Sequence, residues 1–288
     1  MMSAVQKPIT VLLPNKKKRV WELDFLRGFA VLCMCFDHLM YDLSYARTWF
    51  SVRVENGVLD FLQRIAKAYW YSGSYGDLGF RFWAHYLFVF LFLFLVGVSC
   101  AFSRDNTKRG AQLGVVAIVF TGVTMVLRKF GIMSQGIVFG ILDCIALSIL
   151  CVALVDCLTA FNKKLNVIVP LVIGLFVIGL GIDKRFWTMG RPFDDTFSFD
   201  NLYMYILGTR GFGDDWFGIF PYLGAVFTGV YWGKTVYADR TSVLPRLDGK
   251  WNRPFRFVGR HALLFYLAHQ VVMAAIVGIA YLIAGYRF

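Results

Sequence analysis

Residues 23–43 read LDFLRGFAVLCMCFDHLMYDL, a stretch that is apolar enough and long enough to cross a bilayer. Five ionisable side chains nevertheless interrupt it: Asp24, Arg27, Asp37, His38 and Asp42. An ionisable group in lipid costs roughly 2.5–3.5 kcal/mol, so such groups normally face a protein interior or a wet cavity. The stretch therefore predicts a first transmembrane helix whose charged face lines a site.

The spacing places most of these groups on one side of that helix. At about 100° per residue, all of them except Asp37 fall within a stripe roughly 60° wide. Arg27 and His38 are nearly eclipsed and about 16 Å apart along the axis, at a rise of 1.5 Å per residue. Arg27 can also pair with Asp24 at i,i+3, and such a pair can still position the guanidinium for an anion.

The composition extends this interpretation to the whole chain. Of 288 residues, 58% are hydrophobic and 18% aromatic, whereas soluble domains are about 45–50% apolar. We therefore expect an all-α, polytopic transmembrane helix bundle, with residues 1–20 as a basic cytoplasmic tail and 21–288 as one domain. About seven spans are predicted: 22–43, 84–103, 111–130, 136–158, 165–183, 216–236 and 258–283. Residues 59–71 predict an amphipathic helix, either on the membrane surface or packed as an ordinary loop helix.

The net charge of +12 does not indicate a nucleic-acid partner. The Lys and Arg residues lie between apolar runs, where they set topology and contact lipid headgroups. Their bias predicts a cytoplasmic N-terminus, and an odd number of spans then places the C-terminus outside. The basic segment 16–19 is not expected to belong to a cleaved signal peptide, because the span after it is too long and contains charges.

The cysteines do not predict a metal or redox site. All six fall inside or at the ends of predicted spans, where a thiol behaves as a small apolar group. No Cys–His spacing resembles a zinc site, so we expect no metal ligands.

Two histidines are predicted to share one depth in the bundle. His269 lies about 11 residues into the last span, roughly 16 Å deep, and His38 lies at a similar level in the first. Asp143, in the fourth span, is placed near the same level. A histidine that accepts a proton and a carboxylate that orients it form a general-base arrangement. The alternative is a polar network that only fixes helix packing.

The spacing Arg27–X10–His38 matches a pattern of transmembrane acyltransferases. The surrounding WELDFLRGFAVLCMCFDHL, residues 21–39, resembles the opening of the heparan-α-glucosaminide N-acetyltransferase catalytic-domain family. Further blocks resemble that family in order along the chain: 90–104, 139–148, 217–233 and 258–270.

The resemblance implies a membrane enzyme that takes an acyl group, usually acetyl, from cytoplasmic acyl-CoA. The acceptor would be a hydroxyl or amine of a sugar on the far side of the membrane. His38 is then the expected catalytic residue, by direct transfer or through an acyl-histidine. The other predicted roles are catalytic for Asp37, Asp143 and His269, and donor-binding for Arg27, Asp24 and Gln270.

Two departures limit what the resemblance implies. Asp143 stands where related sequences often have histidine, so the role of that position does not carry over directly. The lysosomal branch of the family places a key histidine in the first luminal segment, where only His85 lies near and does not align cleanly, so heparan sulfate is not carried over as the acceptor. An envelope glycan in a bacterial cytoplasmic membrane fits a chain of this type better. The sequence does not fix the oligomeric state, and a homodimer is compatible with it.

The rival interpretation is a proton-coupled transporter of small solutes, in which the same histidine and acids form a proton relay. Against it, the sequence contains no internal repeat and no paired broken helices in corresponding halves. A non-enzymatic scaffold would leave the charged stripe without a purpose.

Overall fold

A computed structural model describes residues 19–72, 79–131, 136–182, 192–213 and 215–288. Nearly all of the predicted basic tail, residues 1–20, lies outside these described residues. Within them the chain is mostly α-helical.

The described residues form ten α-helices and one very short strand pair. The helices are α1 (Trp21–Tyr45), α2 (Gly57–Tyr71), α3 (Phe80–Phe102), α4 (Asn106–Lys129), α5 (Ile141–Leu158), α6 (Lys163–Ile182), α7 (Leu202–Leu207), α8 (Ile219–Thr235), α9 (Arg253–Arg260) and α10 (Ala262–Ile283). Strands β1 (Phe193–Asp194) and β2 (Gly211–Phe212) pair in parallel. This strand pair is a small departure from the all-α prediction.

Five described helices are long and apolar enough to cross a membrane: α3, α4, α5, α6 and α10. The sequence predicted about seven spans, and the difference lies in α1 and α8. Helix α1 has 25 residues but includes five charged ones, and α8 has only 17 residues. Helix α10 leaves large apolar side chains such as Leu264, Val271 and Ile283 exposed, as expected of a surface in contact with lipid tails.

Helix α2 confirms the helix predicted over 59–71. The side chain of Asn56 caps it by accepting hydrogen bonds from the backbone N–H groups of Val58 and Leu59, at 3.1 and 3.2 Å. Such a cap satisfies two of the N–H groups that a helix start leaves without partners. The buried Gln63 then donates to the carbonyl oxygen of Ser44 at 3.2 Å, which holds α2 against the end of α1.

Glycines permit two close helix crossings that organise the bundle. Helix α1 crosses α9 where Gly28 faces Gly259, and a Cβ on either glycine would overlap backbone of the other helix. Helix α3 crosses α8 in the same way at Gly97 and Gly229. Helix α8 lies between α3 and α6. Small residues let backbones approach closely without a side chain between them, so these contacts fix α1 and α8 in the bundle.

The last predicted span, 258–283, is not continuous. Helix α9 ends at Arg260 and α10 begins at Ala262, because His261 between them has φ −112° and ψ 26°, outside the helical region. The fourth predicted span also begins late, at Ile141 rather than at 136. The break at His261 lets α9 pack across the start of α1 while α10 packs along the rest of α1.

Candidate functional site

The charged stripe of α1 faces protein. Asp24 and Asp42 are buried, and Arg27 and His38 are half-buried. Each of the four side chains is hydrogen bonded to a residue of another helix. The prediction that these groups avoid lipid is therefore confirmed by their surroundings.

His38 and His269 form a hydrogen-bonded pair. Nδ1 of His38 lies 2.6 Å from Nε2 of His269, and the two rings stack with centroids 4.8 Å apart and planes 13° apart. The other nitrogen of His269, Nδ1, is 2.6 Å from the carbonyl oxygen of Tyr266. The structure thus brings together the two histidines that the sequence placed at one depth, while their chemical role stays a prediction.

A second polar contact joins the same two helices. The amide Nε2 of Gln270 donates to Oδ1 of Asp42 at 2.9 Å, and Asp42 is only 1% exposed. Gln270 therefore lies next to the histidine pair, on the side of α1 that leads towards Tyr45. Its predicted contact with the donor stays a prediction.

Asp37 anchors a network that ties α1, α2 and α3 together. Arg81 donates to both carboxylate oxygens of Asp37 at 2.9 Å, and the hydroxyl of Tyr69 donates to Oδ1 at 3.0 Å. Nδ1 of His85 is 3.4 Å from Oδ2, and the Arg81 guanidinium lies over the Trp70 ring at 3.5 Å. Burial, followed by the nearby Asp37 carboxylate, raises the pKa of Tyr69, so its phenol stays a donor to Asp37.

The sequence did not identify the partners of Asp37. Arg81 and His85 stand at the start of an apolar run, and no local pattern links them to a residue some 44 positions earlier. The contacts of Asp37 are to these groups, and among the described residues it has no hydrogen bond to His38.

Asp143 lies at the beginning of α5. Its carboxylate accepts a hydrogen bond from the backbone N–H of Gly140 at 3.0 Å, which closes the first turn of the helix. Nearby, the hydroxyl of Tyr266 donates to Asp215 at 2.9 Å. Within the described ranges no hydrogen bond joins Asp143 to either histidine of the pair, and its catalytic role stays a prediction.

A cavity rich in arginine opens at the other end of the α1 stripe. It has a volume of about 630 Å³. The charged side chains that line it are Arg19, Asp24, Arg27, Arg109, Arg240 and Arg260. Five guanidinium groups thus surround one carboxylate, which leaves a strongly positive space suited to a polyanion.

Hydrogen bonds orient the guanidinium groups in this cavity. Arg27 donates from Nη2 to the Ser99 hydroxyl at 2.7 Å and from Nη1 to Asp24 at 3.4 Å. Arg260 donates to the second oxygen of Asp24 at 3.1 Å, and Arg240 donates to the carbonyl of Phe102 at 2.9 Å. The sequence had selected Arg27 and Asp24, whereas Arg240 and Arg260 were missed.

A family model described as "Heparan-alpha-glucosaminide N-acetyltransferase, catalytic" matches residues 19–70 and 57–271, which together cover most of the chain. The chain belongs to this family. Comparison with curated proteins gives no match, and comparison with solved structures gives none.

Membership of the heparan-α-glucosaminide N-acetyltransferase catalytic family confirms the resemblance identified in the sequence. The first matched segment includes Arg27 and His38, and the second ends just after His269 and Gln270. The family is one of membrane acetyltransferases, in agreement with the five apolar helices of this chain. Among its described residues, no group of three or more His, Cys, Asp or Glu side chains is arranged to hold a metal ion.

Proposed function

We propose that this protein transfers an acyl group, most simply acetyl, from acyl-CoA to a hydroxyl or amine of a sugar acceptor. One observation carries the proposal. A single face of α1 places Arg27 in an arginine-lined cavity and, further along, His38 in contact with His269. A cavity suited to an anionic donor and a histidine suited to moving a proton therefore lie along one stripe of α1.

The cavity suits the phosphate groups of CoA. Arginine stays charged and matches phosphate oxygens with two parallel N–H donors. Its volume of about 630 Å³ is in the range of small-molecule sites. The cavity would therefore hold the phosphates of the donor, with Asp24 fixing Arg27 and Arg260 in place.

The length of the donor fits the distance to the histidines. The pantetheine arm of CoA has about as many chain atoms as four residues, so it reaches roughly 14 Å when extended. Arg27 and His38 are eleven residues apart on α1, which corresponds to about 16 Å. A thioester whose phosphates lie at the arginines would arrive near His38.

The simplest reaction that these residues could carry out is a direct acyl transfer. The acceptor nitrogen or oxygen attacks the thioester carbonyl, and His38 removes the acceptor proton as a general base. The new C–N or C–O bond forms as the C–S bond breaks, and the proton passes from His38 to the departing thiolate to give free CoA. A two-step route through acyl-His38 uses the same residues.

The sidedness follows from the charge bias of the loops. The arginine cavity lies at the start of α1, the end expected in the cytoplasm, where acyl-CoA is available. The acceptor would reach the histidines from the opposite side, as an envelope glycan of a bacterial cytoplasmic membrane. A proton-coupled transporter would use the same polar groups without thioester chemistry.

The test is an assay of the purified full chain in lipid nanodiscs with labelled acetyl-CoA and glucosamine or envelope glycans. We expect release of free CoA and a labelled acceptor, and we expect His38→Ala to abolish both. His261→Ala is the matched control, since His261 is exposed at the break between α9 and α10, and it should keep wild-type turnover. Turnover that survives in His38→Ala removes this residue from its role. Solute flux in vesicles without thioester turnover favours the transporter.

A further inference from the structure

The positions of the hydrogen atoms on the histidine pair follow from its partners. The carbonyl oxygen of Tyr266 can only accept a hydrogen bond. Nδ1 of His269, at 2.6 Å from that oxygen, must therefore carry a hydrogen. A neutral imidazole has one donor and one acceptor nitrogen, so Nε2 of His269 is an acceptor.

The same reasoning extends to His38. Its Nδ1 lies 2.6 Å from the acceptor Nε2 of His269 and so must carry the hydrogen between the rings. Nε2 of His38 is then left with a free lone pair. We infer that the Tyr266 carbonyl, acting through His269, holds His38 in the Nδ1–H tautomer with Nε2 as the basic nitrogen.

The inference excludes a resting protein in which His269 is protonated on both ring nitrogens and carries a positive charge. Were His269 an imidazolium, it would donate to Nδ1 of His38 and leave the hydrogen of His38 on Nε2. His269 is only 9% exposed, and a buried charge is costly unless a counter-charge is bonded to it. Among the described residues, the hydrogen bonds of the two rings go to each other and to the Tyr266 carbonyl, and none goes to a carboxylate.

The carboxylate that usually orients a catalytic histidine is engaged elsewhere. Asp37, the neighbour of His38 in sequence, is bonded to Arg81 and Tyr69. His269 occupies the place of the orienting group and fixes both the tautomer and the ring plane of His38. It is therefore a positioning residue, and this part of the inference rests on the proposed function of His38.

Nitrogen NMR of the full chain in nanodiscs tests the tautomer without reference to activity. The chain has only four histidines, so ¹⁵N-histidine labelling gives few signals, and single His→Ala variants assign them. We expect His38 and His269 both to show a protonated Nδ1 and an unprotonated Nε2. A hydrogen on Nε2 of neutral His38 overturns the inference.

Two substitutions at one position test the positioning role. The side-chain carbonyl of His269→Gln can accept from Nδ1 of His38, whereas His269→Leu cannot. We expect His269→Leu to lower kcat by roughly 10²–10⁴-fold with little change in KM for acetyl-CoA, because a wrong histidine tautomer costs up to about 10⁴-fold elsewhere. His269→Gln should recover most of that loss, and His261→Gln should match the wild type.

The outcomes separate the two proposals. Equal loss in His269→Gln and His269→Leu, with both variants folded, or full activity in His269→Leu, overturns the positioning role. A Nδ1–H signal from His38 in a protein that turns over no thioester supports the tautomer and counts against the proposed function instead. If neither variant folds, the wild-type NMR spectrum still decides the tautomer.

Discussion

At the scale of single residues, Arg27 is held by two partners that fix the plane of its guanidinium. Nη2 of Arg27 donates one hydrogen bond to Ser99, and Nη1 donates one to Asp24. The other N–H groups of the guanidinium are left to contact a ligand in the arginine-lined cavity. Arg27→Lys keeps the charge but loses the planar fork. A hydrogen bond to a charged group is worth about 1.5–3 kcal/mol, so we expect KM for acetyl-CoA to rise about 10- to 100-fold with a smaller change in kcat.

Steady-state kinetics with varied acetyl-CoA measure this effect. Arg104→Lys is the matched control, because Arg104 is exposed near the start of α4 and is not among the residues that line the cavity. An unchanged KM in Arg27→Lys would show that the donor phosphates bind elsewhere.

At the scale of helices, the crossing of α1 and α9 builds the cavity. A Cβ on Gly259 would overlap the backbone oxygen of Asp24, the residue that holds both Arg27 and Arg260. Forcing extra atoms into a packed contact costs about 1–3 kcal/mol. We therefore expect Gly259→Ala to lower the melting temperature in nanodiscs and to weaken acetyl-CoA binding together.

Gly278→Ala in α10 is the matched control for the effect of a Gly→Ala change on a helix alone, since a Cβ at Gly278 meets nothing within 4 Å. It should leave both the melting temperature and binding near wild type. Equal melting temperatures for the two variants would contradict the close crossing.

The helices also show how far the sequence could be used for prediction. Apolar runs predict where helices form, because a helix pairs its backbone N–H and C=O groups within its own run of residues. The level shared by His38 and His269 follows from counting residues along two such helices. The sequence does not predict the partners of Asp37, nor that Arg240 and Arg260 line the cavity. Contacts between helices that are distant in the chain leave no periodic pattern in the local sequence. The break at His261 was missed because the predicted span began at 258, inside α9, and a count of apolar residues does not report a local change in φ and ψ.

At the scale of the whole molecule, one end of the bundle collects positive charge. Beside the arginine cavity lies a second one of about 590 Å³, which shares Phe102 and Arg240 with it. Its Lys234 donates to Asp156 at 2.5 Å and to Asn166. Residues that line the two cavities lie at one end of six helices: the starts of α1, α4 and α6 and the ends of α3, α5 and α8. Helices that alternate in direction across a membrane are expected to group their ends in this way.

This asymmetry makes the orientation of the bundle a decisive prediction. Acyl-CoA is cytoplasmic, so the arginine-rich end must face the cytoplasm if the proposed donor is correct. Lys163, at the start of α6, is exposed at that end, and Glu55, before α2, is exposed in the segment between α1 and α3. In a background with the six cysteines replaced by alanine, we expect Glu55→Cys to react with an impermeant maleimide on intact cells, and Lys163→Cys to react only after the membrane is opened.

Retained thioester turnover in the cysteine-free background controls for its fold. The reverse labelling pattern would place five arginines on the outer face, where no CoA is available. The cavity would then attract an external polyanion, and the histidine pair would have to receive its substrate from the opposite side. Orientation therefore bears directly on the chemistry, because the same stripe of α1 can serve an acyl-CoA-dependent enzyme only when its arginine end is inside.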